Sequence, residues 1–303
     1  MKKIIVLGSS NTDMVIISDR LPCAGETILG KSFFMNPGGK GGNQAVAAAR
    51  MNGNVTFISK IGNDVFGQQS LELYEKEKIN TRYIFIDKNT PSGIALIIVD
   101  SKGENTIAVA SGANEKLIPE DILTVKSVIE SGEILLMQLE TPLETIEFAA
   151  EIAKKKGIKV ILNPAPAKQL PNSLFKNLDI ITPNRTEAEI LSGIKVIDLQ
   201  SAKRAAEEIA KKGVNTVIIT LGSSGALIWE NEIHHFVEAE KVEAIDTTAA
   251  GDTFNGVLSV VLSEGKSTIE AVEFASRAAA IAVTRMGAQS SIPYRNELEL
   301  INH

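Results

Sequence analysis

Ile134-Leu135-Leu136-Met137-Gln138-Leu139 is followed by a helical pattern over 143–156 and then by Lys159-Val160-Ile161-Leu162-Asn163. The two apolar runs are continuous rather than alternating, as in strands covered on both faces. A helix between two such strands is a βαβ unit, and its crossover is right-handed in nearly every known case. The same alternation extends outward in both directions. Further buried-strand runs stand at 4–8, 55–61, 179–182 and 216–221, and further helical patterns at 43–51, 68–77, 119–130 and 201–212. The last third is helical, over 252–263, 268–285 and 295–301. The fold predicted is α/β, a central mostly parallel sheet with helices on both faces.

Two regions break the pattern. Residues 13–36 and 92–110 read as short antiparallel pieces, the second a hairpin of 94–99 and 105–109 around a Gly-containing loop. They can meet as one small sheet over the carboxyl edge of the main sheet, which makes a cleft of the kind where α/β proteins bind ligands.

At 303 residues the chain is one large domain or two ordinary ones, and it can bury a core without a disulfide or metal staple. Lys plus Arg is 31 and Asp plus Glu is 37, a net charge of −6. That balance excludes nucleic acid and anionic membranes as the main partners, since phosphate surfaces reward clustered positive charge. One cysteine, Cys23, points to a reducing compartment, the cytoplasm. Three histidines leave little for a zinc site or a histidine-based nucleophile, so acid–base chemistry falls on carboxylates. The apolar run at 4–7 is too short for a signal-peptide core, and the longest aliphatic run, 94–99, is far below the roughly 20 residues of a membrane span.

The chemistry centres on Asp246-Thr247-Thr248-Ala249-Ala250-Gly251-Asp252-Thr253-Phe254-Asn255-Gly256. Small residues run directly into a helix, leaving the amides from Ala249 to Asp252 as donors for an anion. Ala249, Ala250 and Gly251 let a ligand approach the backbone. Asp252 fits two roles on the local string, a base that takes a proton from an alcohol or a helix cap. A second element, Asn36-Pro37-Gly38-Gly39-Lys40-Gly41-Gly42-Asn43-Gln44, offers glycines ahead of a helix, which suggest close backbone approach to a ligand, with Lys40 and Asn43 as candidates to hydrogen-bond a polyol. Polar residues at the ends of the buried runs share one rim: Asn11, Asp13, Glu140, Asn184, Glu187 and the loop Thr220-Leu221-Gly222-Ser223-Ser224-Gly225. Gly25-Glu26-Thr27-Ile28-Leu29-Gly30-Lys31-Ser32 matches the phosphate-loop pattern letter for letter, but Phe33-Phe34-Met35-Asn36-Pro37-Gly38 denies it the helix that motif requires.

These strings, with Gly8-Ser9-Ser10-Asn11-Thr12-Asp13, Asn163-Pro164-Ala165-Pro166-Ala167, Thr182-Pro183-Asn184 and the tail Ala282-Val283-Thr284-Arg285-Met286-Gly287-Ala288-Gln289, resemble the ribokinase-like carbohydrate kinase family over essentially the whole chain. The resemblance implies an α/β core over 1–12, 37–91 and 111–303, a β lid over 13–36 and 92–110, and a homodimer through the lid. It implies phosphoryl transfer from ATP to the 5-hydroxyl of D-ribose, with Asp252 as base and Ala249, Ala250 and Gly251 as the anion hole. By position, Asn11, Asp13, Gly39, Lys40, Asn43, Glu140 and Asp252 would hold the sugar. Asn184, Thr220, Gly222, Gly225, Gly251 and Ser276 would line the nucleotide site. Glu187 would organise Mg²⁺ through water, and Asp246, Thr248, Ala282, Arg285, Gly287 and Ser291 would form a K⁺ site. Arg185 stands where relatives commonly carry Glu, and Ser276 where many carry Asn or His. The alternatives are a kinase for another substrate, such as deoxyribose, a ketohexose or a nucleoside, and a sugar-binding protein without catalysis.

Overall fold

Thirteen strands and the helices between them build two sheets; the computed structural model describes residues 2–299. In chain order the strands are β1 (Lys3–Leu7), β2 (Asn11–Ile17), β3 (Ser32–Gly38), β4 (Asn54–Gly62), β5 (Asn80–Asp87), β6 (Gly93–Val99), β7 (Asn105–Ala110), β8 (Ile134–Met137), β9 (Lys159–Leu162), β10 (Ile180–Ile181), β11 (Thr216–Thr220), β12 (Ala226–Glu230) and β13 (Ile233–Val237). The main sheet has the order β13-β12-β11-β10-β9-β8-β1-β4-β5 and is parallel from β11 to β5. A four-stranded sheet, β3-β2-β6-β7, stands beside it.

The continuous apolar runs are explained by two cores. Along β1, Ile5 and Leu7 pack into one core with the helices Leu143–Lys155 and Leu199–Ala210. Ile4 and Val6 pack into the other, with the helices Lys40–Arg50, Ala250–Ser263 and Thr268–Ala282. Strand residues alternate faces, so a strand with helices on both sides must be apolar at every position. Each such side chain fully buried stabilises the fold by roughly 1.5–3 kcal/mol.

The small sheet corrects one detail. Its outer pairs, β2–β3 and β6–β7, are antiparallel as expected, but β2 and β6 run parallel, with Asn11 opposite Gly93. The parallel pair arises because β4, β5 and the helix Val65–Lys76 lie between them in the chain. Residues 25–31 lead into β3, so the phosphate-loop look-alike has a strand where that motif needs a helix.

Several elements differ from the expectation, among them the helices Asn172–Phe175 and Arg185–Ser192, which the sequence did not signal. β5 is an edge strand with polar residues at Asn80, Thr81 and Arg82. β12 and β13 form a hairpin whose turn, Asn231-Glu232, has both residues at positive φ (51° and 64°) without the Asn-Gly signal of such turns. The pattern at 119–130 is two short helices, Pro119–Thr124 and Lys126–Ile129, parted at Val125 (φ −111°). The C-terminal helix is Arg295–Glu299; the rest of the stretch expected there lies outside the described residues. Among the described residues no helix is long and apolar enough to cross a membrane.

Candidate active site

The chain crosses between the two sheets at Gly8-Ser9-Ser10, after Gly38, and at Ser92, and the first two crossings meet the N-terminal turn of the helix Lys40–Arg50. Gly39 caps that helix with φ 83°. A Cβ at Gly39 would lie 2.7 Å from the Asn11 amide nitrogen, and one at Gly41 2.5 Å from the Ser9 amide nitrogen. One at Gly38 would lie 2.3 Å from the Asp13 carboxylate, and one at Gly42 2.3 Å from the Tyr74 hydroxyl. Glycine is required here because protein packs on protein. The glycine loop brings its helix against β1 and β2, so Lys40 and Asn43 are delivered to the rim.

Asp252 lies in the first turn of the helix Ala250–Ser263 and is 6% exposed. Its Oδ2 accepts from Asn43 Nδ2 and its Oδ1 from Gln44 Nε2, both at 2.9 Å. The residue before the helix, Ala249, sits in the left-handed region at φ 59°, a strained conformation for a residue with a Cβ. Among the described residues, the amides of Ala249, Gly251 and Asp252 have no protein acceptor, while that of Ala250 makes a 3.3 Å turn bond to the Thr247 carbonyl. Nothing lies within 4 Å of a Cβ placed at Gly251. Free amides, a helix N-terminus and open space fit the phosphates of a nucleotide.

The other sugar candidates gather on the same side. Glu140, just beyond β8, accepts from the Lys40 amide at 2.9 Å and from Ser9 Oγ at 2.5 Å. Asn11 Oδ1 accepts from Asn114 Nδ2 at 2.7 Å, which leaves the Asn11 NH₂ group as the free donor. Burial first, then the charges of Glu140 and Asp252, push the Asp13 carboxyl up to about 6, with Lys40 opposing. The Lys40 ammonium is held above its ordinary value, chiefly by Asp252. Asn11, Asp13, Gly39, Lys40, Asn43, Glu140 and Asp252 therefore form one charged, half-enclosed group.

The nucleotide candidates are adjacent. Asn184 caps the helix Arg185–Ser192, accepting from the Glu187 amide at 2.9 Å, and pairs with Thr220 in an isolated parallel bridge. Glu187 Oε2 accepts from the Asn184 amide at 2.8 Å. Burial raises the Glu187 carboxyl, and both Lys40 and Asp252 act on its charge. Arg185 donates to the Leu221 carbonyl (3.3 Å) and to Ser224 Oγ (3.2 Å), so it straps this helix to the loop after β11. Gly222 is open, whereas a Cβ at Gly225 would lie 2.1 Å from the Val237 carbonyl oxygen, which places Gly225 against β13. Ser276 is half-buried on the helix Thr268–Ala282.

The cation candidates surround one loop. Asp246 accepts from the Thr248 and Gly287 amides, each at 2.9 Å, and its own amide donates to the Val283 carbonyl at 3.1 Å. Burial works to raise its carboxyl, but hydrogen bonds from Thr248 and Gly287 outweigh that and hold it below the usual range. Arg285 is taken up by Glu297 at 2.5 Å, its amide by the Ala282 carbonyl, and Ser291 Oγ donates to the Ala288 carbonyl at 2.8 Å. Among the described residues no group of three or more His, Cys, Asp or Glu is placed to hold a metal. A cation here would be held by one carboxylate and backbone carbonyls, oxygen donors that suit a hard cation.

Sequence reasoning missed the residues that hold the site. Gln138 Nε2 donates to Gln44 Oε1 (2.6 Å), Gln44 Nε2 also reaches Asn163 Oδ1 (3.1 Å), and Asn163 Nδ2 donates to the Thr182 carbonyl (3.2 Å). Thr182 Oγ1 donates to Asn255 Oδ1 (2.6 Å), whose Nδ2 donates back to the Gly251 carbonyl (2.8 Å). The signal available was a polar residue immediately past each of β8, β9 and β10.

Residues 1–295 match the profile described as "pfkB family carbohydrate kinase". A protein named ribokinase from Haemophilus influenzae is 48% identical, over 100% of this chain and 99% of that protein. One named deoxyribokinase from Salmonella typhi is 39% identical, over 96% of this chain and 95% of its own. The solved structure of Arabidopsis thaliana ribokinase complexed with ribose and ATP superposes with a TM-score of 0.93 at 32% identity, covering 99% of this chain and 98% of that one.

Proposed function

The chain belongs to the pfkB family of carbohydrate kinases and is a ribokinase-type sugar kinase, and on that premise we propose that it phosphorylates D-ribose at O5 with ATP. The products are D-ribose 5-phosphate and ADP. The observation that carries the reading is Asp252: buried, with one amide donor on each oxygen, beside free helix-terminal amides and open space.

Asp252 takes the proton of the 5-hydroxyl as the oxygen attacks, a contribution of about 10²–10⁴ in rate. Negative charge spreads over the transferring phosphoryl group, and fixed amide dipoles stabilise it without reorganising. Of the hole formed by Ala249, Ala250 and Gly251, the amides of Ala249 and Gly251 are free, so they do most of this work. Asn43 Oδ1 is buried without a partner, and we assign it a sugar hydroxyl that would satisfy it. Asn11, Asp13, Gly39, Lys40 and Glu140 complete the sugar side. Asn184, Thr220, Gly222, Gly225, Gly251 and Ser276 form the nucleotide side.

Mg²⁺, organised by Glu187 through water, would offset phosphate charge, and K⁺ would sit among Asp246, Thr248, Ala282, Arg285, Gly287 and Ser291. Asp246 ties the Thr248 and Gly287 amides together, so this loop sets where Ala249 begins its strained turn.

The small sheet acts as a lid over 13–36 and 92–110 that excludes water. Its outer face carries Ile16, Phe33, Met35 and Leu96, all exposed, and we assign that face to a homodimer contact. The compartment we assign is the cytoplasm, on the single cysteine.

Deoxyribose is the second reading, favoured by the deoxyribokinase relative. A substrate panel with coupled ADP detection tests both. The highest kcat/KM with ribose is expected; a clear preference for deoxyribose, a ketohexose or a nucleoside would overturn the assignment, and no ADP release with any sugar would overturn the kinase reading.

A further inference from the structure

We infer that Gln44 is a positioning residue for the phosphoryl-transfer step: its side-chain amide, oriented by Gln138 and Asn163, holds Asp252 Oδ1 so that the carboxylate keeps one plane toward the sugar alcohol. This rests on the reading of Asp252 as the base.

Gln44 is fully buried at the start of the second turn of the helix Lys40–Arg50 and reaches across to Asp252. Gln138 decides which way its amide points. Gln138 Nε2 donates to Gln44 Oε1 at 2.6 Å, so the Gln44 carbonyl is occupied and its NH₂ group must face Asp252 and Asn163. The opposite orientation would set a carbonyl oxygen against a carboxylate oxygen. Gln138 is also fully buried, and its own carbonyl oxygen has no partner. A buried orphan acceptor is costly, and an apolar side chain would fill the place with no such cost. Gly8 accommodates it: a Cβ there would lie 2.0 Å from Gln138 Oε1. The arrangement has a use in catalysis. Asn43 fixes Asp252 Oδ2 but also serves the sugar; Gln44 fixes Oδ1 and touches only protein. With Oδ1 released, the carboxylate can turn about its Cβ–Cγ bond, and misplacement of a base costs rate more than binding. The charges facing Asp252 are Lys40, Asp13 and Glu187, with Glu140 acting on Asp13 and Lys40.

The test is steady-state kinetics of Gln44→Met, Gln138→Met and the double variant, with kcat and the sugar KM measured separately and melting curves as the folding control. Gln44→Met should lose about 10–100-fold in kcat with the sugar KM within about 3-fold, because the carboxylate is misplaced while the sugar contacts stay. Gln138→Met should show a smaller loss of the same kind. The double variant should be no worse than Gln44→Met, since both act through one amide. If Gln44→Met does not fold, Gln138→Met decides. A wild-type kcat, or a rise in KM alone, overturns the inference. An active wild type with a dead Asp252→Asn and an unaffected Gln44→Met sinks this inference only; an active Asp252→Asn sinks the reading beneath it.

Discussion

Asn43 Nδ2 meets Asp252 Oδ2 at 2.9 Å and joins the first turns of two helices, Lys40–Arg50 and Ala250–Ser263, that start 210 residues apart in the chain. The same side chain leaves Oδ1 buried and unpaired. On the proposed reading, one residue thus braces the base and offers an acceptor to the substrate. Asn43→Ala should raise the sugar KM and lower kcat together, each by about 10-fold or more, in the ADP-release assay. A change in kcat alone would assign Asn43 to the base only.

Asp13 gives a pH dependence with a definite sign. Its carboxyl stands at about 6 in the fold against an ordinary 3.8, through burial and then Glu140 and Asp252. Between about pH 4 and 6 the folded state keeps a proton the unfolded chain has released, so stability falls as pH rises through that window. Asp13→Asn should therefore raise the melting temperature at pH 8, with the gain shrinking as pH falls through 6. In the wild type, the sugar KM should climb below pH 6 as the acceptor is lost. A melting temperature unchanged by the substitution at pH 8 would contradict the burial argument.

Two glycines of the site should behave oppositely. A Cβ at Gly41 would meet backbone at Ser9 and Gly8, at 2.5 and 2.6 Å, with no flexible atom to yield. Gly41→Ala should cost on the order of 2–4 kcal/mol and lower the melting temperature by several degrees. Gly251→Ala meets nothing within 4 Å and replaces glycine inside a helix, so stability should hold or rise by about 0.5–1 kcal/mol. Its turnover should nonetheless drop, because the methyl group enters the space of the phosphoryl group. Equal loss of stability in both would refute the contrast.

The layered α/β core was legible because burial on both faces leaves no alternation: β1, β8, β9, β10 and β11 read as apolar runs, and β4 does so apart from Thr56, Ser59 and Lys60. β5 and the β12–β13 hairpin were not, since edge strands mix polar residues and the Asn231-Glu232 turn lacks glycine. Asp252 was visible from small residues before a helix. Its partners were not, because Asn43 and Gln44, which hold its two oxygens, lie about 200 residues distant. The glycines at 38–42 were read as room for a ligand, whereas their hydrogens face Asp13, Asn11, Ser9 and Tyr74. Glycine signals close approach, and sequence does not say of what.

The Asp246 loop should make the enzyme sensitive to monovalent cations. Its carboxylate is already held by the Thr248 and Gly287 amides, and the strained Ala249 follows within three residues. Turnover should be faster in K⁺ than in Na⁺ at equal ionic strength, and Asp246→Ala should lose most of that difference. Equal rates in the two salts would remove the cation site.

The most direct measurement is turnover and ribose binding by Asp252→Asn. The side chain keeps its shape but loses the carboxylate that Asn43 and Gln44 hold. We expect ribose to bind within a few-fold of wild type, by calorimetry, while kcat falls by at least about 10²–10⁴. A variant that binds ribose and turns over at a rate near wild type would contradict the account.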